Sequence, residues 1–253
     1  MMQKPTGLGI WCSTNTLNKS ELASLAQKVE QKGYTTLWYP ESLSFECFAL
    51  GGFLLSQSNS LTVASGIANI YARDPVTASQ GYDSLNHFYP SRFLLGLGVS
   101  HVPLVENARG HQYGKPVTTM RKYLNDMETS IIDATIESKE RSIVLAALGP
   151  KMLELAALKA KGALPYCVTP SHTAEARSIM GPEQWLCVEQ KICFTDDAVT
   201  GREVGQKQMA RYMKLDNYRN NWLRLGFSEA VSYTHLRAHE TRHDLVCRLL
   251  LEK

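Results

Sequence analysis

The chain has 253 residues, 44% of them hydrophobic and 20% charged, with 17 Gly and 10 Pro. That composition is ordinary for a globular protein and excludes a disordered, collagen-like or low-complexity chain. Twenty-seven Lys+Arg against 24 Asp+Glu leave a net charge of +3, too small and too scattered to imply a nucleic-acid or membrane-surface partner.

The start, Met1-Met2-Gln3-Lys4-Pro5-Thr6-Gly7, runs into a strand-like segment with no apolar signal region, and no apolar run approaches the roughly 18–20 residues of a membrane span. A cytoplasmic protein is expected. The six cysteines (Cys12, Cys47, Cys167, Cys187, Cys193, Cys247) contain no C-x-x-C pair, and reduced thiols are expected.

Residues 7–12 (GLGIWC) read as a first strand. A helix follows from Asn18 or Ser20 as cap, with Leu22, Leu25, Ala26 and Val29 at the i, i+3, i+4, i+7 spacing of one buried stripe and Gly33 at its end. Thr35–Tyr39 is a second strand, stopped by Pro40; Leu61–Ile67 and Arg92–Gly98 are the third and fourth. The helix between these two opens after Asp74-Pro75, with proline at its first position, and its His87 is expected to pack beside Phe88. Met120, Tyr123, Leu124 and Met127 mark the next helix. A fifth strand at 143–148, a helix from Lys151, a sixth strand at 162–168, a helix at 172–180 and a seventh strand at 186–192 complete the series, and helical sequence continues from Met209 to Leu225.

Seven alternating strand–helix units imply a parallel sheet, because parallel neighbours need a helical crossover. A doubly wound sheet would carry a Gly-rich turn after its first strand, and Trp11-Cys12-Ser13-Thr14-Asn15 is not one. A (β/α)8 TIM barrel fits better, lacking its last strand–helix unit.

The tail, VSYTHLRAHETRHDLVCRLLLEK, places His235, His239, His243 and Cys247 four residues apart. A straight helix carries successive ligands away along its axis by about 6 Å per four residues, so these cannot enclose one ion, and no metal is expected. The segment resembles a translated sequencing-adapter peptide. Residues 1–230 are therefore expected to form one C-terminally truncated barrel domain, with 231–253 non-native.

In such a barrel, function lies at the C-terminal ends of the strands. That rule selects Tyr39-Pro40-Glu41-Ser42, Ser65–Asn69 and then Tyr71-Ala72-Arg73-Asp74-Pro75, Gly96–His101, Leu148-Gly149-Pro150 and Thr169–Thr173. Helix N-termini at Gly149-Pro150 and Thr169–Thr173 offer backbone donors for an anion; capping of the second by Ser171 or Thr173 is the structural alternative.

Four blocks in order, VASGIANIYARDPVTA (63–78), YPSRFLLGLGVSHVPLVE (89–106), LAALGPKMLELAALKAKGALPYCVTPSHTAEAR (145–177) and NYRNNWLRLGF (217–227), resemble the luciferase-like monooxygenase family. The likeness is strongest to its branch of probable coenzyme F-420-dependent oxidoreductases. The resemblance implies a bacterial-luciferase-like barrel with a flat cofactor ring across its mouth, backed by Ser65, Gly66, Ile67 and Gly98. A non-proline cis peptide is expected at Ser65–Gly66. Family members place an acid at the end of the second strand; Glu41 stands there, either bonding the ring edge and orienting substrate or as a solvated loop carboxylate. His101 matches a position where relatives carry a proton donor, and an imidazole suits that task. Gly149, Pro150, Thr169, His172 and Thr173 fall at the cofactor's phosphate end. The implied function is hydride transfer between F-420 and a small-molecule substrate. The alternatives are an FMN-dependent monooxygenase and an inactive truncated barrel; a homodimer is the favoured assembly.

Overall fold

The computed structural model describes residues 2–133, 135–136 and 140–227; the histidine-bearing tail lies outside them. Strands and helices alternate as β1 (Gly9–Trp11), α1 (Lys19–Gln31), β2 (Thr36–Tyr39), α2 (Cys47–Ser56), β3 (Thr62–Ser65), β4 (Ala68–Asn69), α3 (Pro75–Phe88), β5 (Phe93–Gly98), α4 (Pro116–Glu128), β6 (Ile143–Leu145), α5 (Pro150–Lys159), β7 (Gly162–Ala163), α6 (Pro170–Met180), β8 (Trp185–Leu186), α7 (Ala198–Tyr212) and α8 (Asp216–Arg224).

All pairings are parallel, in the order β1-β2-β3-β5-β6-β7-β8, with β4 beside β5. β3 and β4 are one strand interrupted at Gly66–Ile67. Neighbours in space are neighbours in sequence, with no reversal of order, so the doubly wound alternative is excluded.

Side chains alternate between two cores. Leu37, Tyr39, Val63, Phe93, Leu95, Ile143, Leu145 and Ala163 pack outward among residues of α1 to α6. Trp38, Ala64, Leu94, Val144, Leu164 and Trp185 form a second cluster that Trp11 and Met2 join and no helix enters. Strands from one edge of the sheet to the other thus meet in a single interior, which a flat sheet cannot do. A Cβ on Gly66 would lie 2.9 Å from Trp11 Nε1 and 3.5 Å from Leu164 Cδ2, atoms of the first and the seventh strand regions. The chain is a curled, seven-unit part of a (β/α)8 barrel; among the described residues β1 and β8 share no ladder.

Local chemistry explains most of the elements. Asn18 caps α1 by accepting from Ser20 N (3.0 Å) and Glu21 N (3.1 Å), and Glu21 accepts from Asn18 N in return (2.8 Å), a complete capping box. Proline opens α3, α4, α5 and α6, where its missing N–H costs nothing.

Three elements depart from the sequence reading. α2 carries no apolar stripe because CFALGGFLLS is apolar nearly all round, and such a helix has no 3.6-residue signature. The strand expected at 186–192 is only Trp185–Leu186, continued by one bridge between Tyr166 and Glu189. His87 and Phe88 do not pack into the core: both are exposed, in edge contact at 5.8 Å.

Gly96 is where β5 passes closest to β3: an added Cβ would meet Ser65 O at 2.0 Å. A backbone oxygen cannot swing aside, so Gly96→Ala is expected to lose at least about 1–3 kcal/mol in urea unfolding. Gly205, in α7 with nothing within 4 Å, is the control: Gly205→Ala is expected to gain about 0.5–1 kcal/mol.

Candidate active site at the C-terminal rim

The interruption of the third strand contains a cis peptide at Gly66–Ile67, one bond later than the Ser65–Gly66 expected from sequence. Ser65 stays in the ladder because its hydroxyl donates to Gly96 O and accepts from Gly96 N, both at 2.9 Å. Gly66 N still donates to Tyr39 O at 2.7 Å. The ladder therefore runs through Ser65–Gly66. With its side chain fully buried, Ser65 has no group to offer a ligand.

The bulge ends at Asn69, whose Oδ1 accepts from Tyr71 N at 2.9 Å while its Nδ2 is buried without a partner. An unpaired buried donor carries a desolvation cost of about 1–3 kcal/mol, and a ligand acceptor at the rim would remove it. Ile67, half-buried, packs against Gly98, where an added Cβ would meet its Cδ1 at 2.6 Å.

Glu41 is not a solvated carboxylate. Its side chain is 3% exposed and paired with Arg73, itself 7% exposed. One oxygen accepts from Asn69 N at 2.8 Å and from Arg73 Nη1 at 3.0 Å, and Arg73 Nη2 reaches the other oxygen and also Glu46 Oε1 at 2.9 Å. Arg73 also lies over the Phe48 ring, 5.1 Å from its centroid. Glu41 thus fastens the end of the bulge to the loop before α3, and its oxygens are committed to protein donors. Glu41→Gln leaves the buried guanidinium with the half-exposed Glu46 as its counter-charge and is expected to cost about 3–5 kcal/mol in thermal unfolding; Glu41→Leu with Arg73→Met is expected to recover most of it.

His101 is half-buried in the loop after β5, preceded by Ser100 in the left-handed region (φ 58°). Across the rim Cys167 is also left-handed (φ 53°). Non-glycine residues in this region store strain and cluster at functional sites. α8 lies against both loops. Its Tyr218 ring is 5.8 Å from His101, Asn217 hydrogen-bonds the imidazole, and Trp222 Nε1 donates to Cys167 O at 3.0 Å. Burial pulls the His101 pKa below its ordinary value.

The opposite half of the rim holds residues the sequence did not single out. Trp11 Nε1 donates to Gly66 O at 2.9 Å, and the indole stacks on Tyr166 (centroids 6.4 Å, 23° between planes). Tyr166 meets Tyr212 and Tyr218 edge-on at 4.9 Å and 5.7 Å. Beneath them Glu189, 11% exposed, stands 4.0 Å from Lys191 Nζ. Burial pushes the Glu189 carboxyl up to about 8, against the opposing pull of Lys191. His101 and Glu189, both close enough to Tyr218 to meet its ring or to bear on its ionisation, are thus shifted in opposite directions, the pattern by which one site keeps a base and an acid at the same pH. The available signal was aromatic and charged residues just past strand ends.

Unfolded Glu189 ionises near 4.5 and the folded group near 8. Between those values the native state holds a proton that the unfolded chain has released, so stability falls as pH rises through the window. Glu189→Gln is expected to melt about 2–4 °C above the parent protein at pH 9 and no higher at pH 4, read by circular dichroism.

At the expected phosphate end, Gly149 precedes α5 with open space around it and no side-chain cap, and Pro150 opens the helix. The cap of α6 is Thr169, accepting from His172 N at 3.3 Å, instead of Ser171 or Thr173; Thr173 Oγ1 donates back to Thr169 O at 3.3 Å. His172 cannot touch a ligand directly. Its ring is fully buried, Nε2 lies 2.6 Å from Leu148 O and Nδ1 has no partner; it ties α6 to the loop after β6.

Residues 5–180 match the family model for luciferase-like monooxygenases. The chain belongs to the luciferase-like monooxygenase family. Among curated relatives, it is 26% identical over 118 residues to a putative coenzyme F-420-dependent oxidoreductase of Mycobacterium tuberculosis, covering 47% of this chain and 33% of that protein. It is 25% identical over 161 residues to a 5,10-methylenetetrahydromethanopterin reductase of Methanolobus tindarius, covering 57% and 49%. The chain thus spans between a third and a half of the curated relatives it matches.

Solved structures share the family fold. An F-420-dependent secondary alcohol dehydrogenase with an F-420–acetone adduct superposes with TM-score 0.66 at 14% identity, covering 77% of this chain and 72% of that one. A coenzyme F-420-dependent tetrahydromethanopterin reductase from Methanopyrus kandleri gives 0.65 at 15%, covering 81% and 71%. An FMN-containing type II Baeyer–Villiger monooxygenase component from Pseudomonas putida gives 0.59 at 13%, covering 81% and 71%.

Proposed function

We propose that this luciferase-like family member is an oxidoreductase that exchanges a hydride between coenzyme F-420 and a small organic substrate. The observation that carries the reading is the recurrence of F-420 in the names of relatives reached independently by sequence and by fold. The rim fits such a group. Asn69 Nδ2 is a buried donor without a partner beside the bulge, and the start of α5 at Gly149 is open. Ile67, Gly98 and Asn69 would hold the ring end, and Gly149, Pro150, Thr169 and Thr173 the phosphate end, where helix N-termini favour anions.

When bound, the deazaflavin supplies the two-electron chemistry. His101 handles the proton. Burial keeps its imidazole neutral at neutral pH, so it accepts the hydroxyl proton of an alcohol as the substrate is oxidised. Asn217 and Tyr218 fix the ring, and α8 shields it from water.

Titration of the purified chain with F-420 and with FMN, followed by the cofactors' own fluorescence, tests the reading. Micromolar binding of F-420 alone is expected; micromolar FMN binding with no response to F-420 would replace hydride transfer by flavin-dependent oxygenation. His101→Gln is expected to bind F-420 like the parent protein and to reduce alcohol-dependent F-420 reduction about 10²–10⁴-fold. It should also remove the acid limb of kcat/KM, which in the parent protein falls below the ordinary histidine value of 6.5.

A further inference from the structure

Lys191 holds its ammonium inside the barrel rim. Nζ lies 4.9 Å from the Tyr166 ring centroid and 5.8 Å from those of Trp11 and Tyr212, close enough for cation–π attraction. Its only carboxylate neighbour among the described residues, Glu189, is 4.0 Å away, too far for a hydrogen bond. The side chain remains 35% exposed, and its ammonium is held by rings and one distant carboxylate, with no hydrogen-bond acceptor against it among the described residues. Two of those rings, Trp11 and Tyr166, are stacked with 23° between their planes, and both residues are only half-buried, so a planar group can extend the stack.

We infer that Lys191 and the Trp11–Tyr166 stack form a subsite for a planar carboxylate, the ammonium taking the carboxylate group and a ring face of the stack the flat remainder of the molecule. As a binding site it stands on its own geometry; as the place of the substrate's acid group it rests on the hydride-transfer reading. Charge supports it. The titratable groups around Lys191 are Glu189, Tyr166, Cys167 and Tyr212, with Tyr218 packed edge-on against the two tyrosines. Burial pushes the Tyr166 and Tyr218 phenols far up, the Cys167 thiol up to about 12 and Glu189 up to about 8. At neutral pH Glu189 is therefore largely uncharged and leaves the ammonium uncompensated. Above pH 8 its carboxylate competes with the ligand and repels it.

Calorimetric titration of the full chain with benzoate, and with benzamide as the uncharged analogue, tests the inference. At pH 7 benzoate is expected to bind saturably and at least about tenfold more tightly than benzamide, the difference one charge-assisted hydrogen bond makes. Lys191→Met is expected to lose that preference and Lys191→Arg to keep it, with benzoate weakening between pH 7 and pH 9. Equal binding of the two probes, absence of saturable benzoate binding, or a Lys191→Met protein that binds benzoate like its parent would overturn the subsite. If that variant does not fold, the benzoate-to-benzamide ratio of the parent protein decides alone. Selective benzoate binding without F-420 binding would leave the subsite standing and remove the hydride-transfer reading; F-420 binding with no discrimination between the probes would do the reverse.

Discussion

A parallel sheet has no wet face, and among the described residues the helices that pack on the sheet lie on one side. Residues of α1 to α6 share one core with the outward side chains of the strands; the other core contains no helical residue at all. The inner face can leave water only by closing on itself. Curling brings Trp11 of β1 against Gly66 and within reach of Tyr166 beyond β7. Each inward position is consequently limited in size by what arrives from across the barrel, and Ala64 and Gly66 are small where Trp11, Trp38 and Trp185 are large.

The same closure shapes the rim in two unlike halves. On one half the backbone leaves the regular strand at Gly66–Ile67 and is held there by polar ties, the Ser65 hydroxyl bridging to Gly96 and the buried Glu41–Arg73 pair anchoring Asn69. The buried pair adds little net stability, since desolvation offsets most of its attraction; its contribution is to fix one loop geometry. On the other half aromatic rings under α7 and α8 surround one ammonium and one buried carboxyl. His101 and Tyr218 sit where the halves meet. A hydride acceptor on the first half and a charged substrate end on the second would bring their reacting atoms to that junction, beside the half-buried His101.

Much of the architecture was legible because it is written locally. Apolar runs four to six residues long, the Asn18…Glu21 capping box and prolines at helix starts each act within one turn or strand, and the order of units implied the parallel sheet. What was not legible depends on partners far along the chain. Glu41 read as either a ring-edge residue or a solvated loop acid because Arg73, 32 residues away, was not visible as its partner. Ser65 is kept in the ladder by a hydroxyl that bonds a glycine 31 residues on, a tie no local pattern displays. His172 has the right address at a helix start, yet its ring turns inward to Leu148. α2 escaped notice because a helix buried nearly all round has no stripe, and Lys191 because its aromatic neighbours come from three separate segments.

The first and seventh strands meet across a common interior, although they are not neighbours in the sheet. A double-mutant cycle on Trp11→Leu and Tyr166→Leu, read by urea unfolding, measures that meeting directly. A curled barrel requires a coupling of about 0.5–1.5 kcal/mol between the stacked rings. Additivity within about 0.3 kcal/mol would mean that the two residues do not touch, that the sheet is open, and that the rim does not exist as a single site.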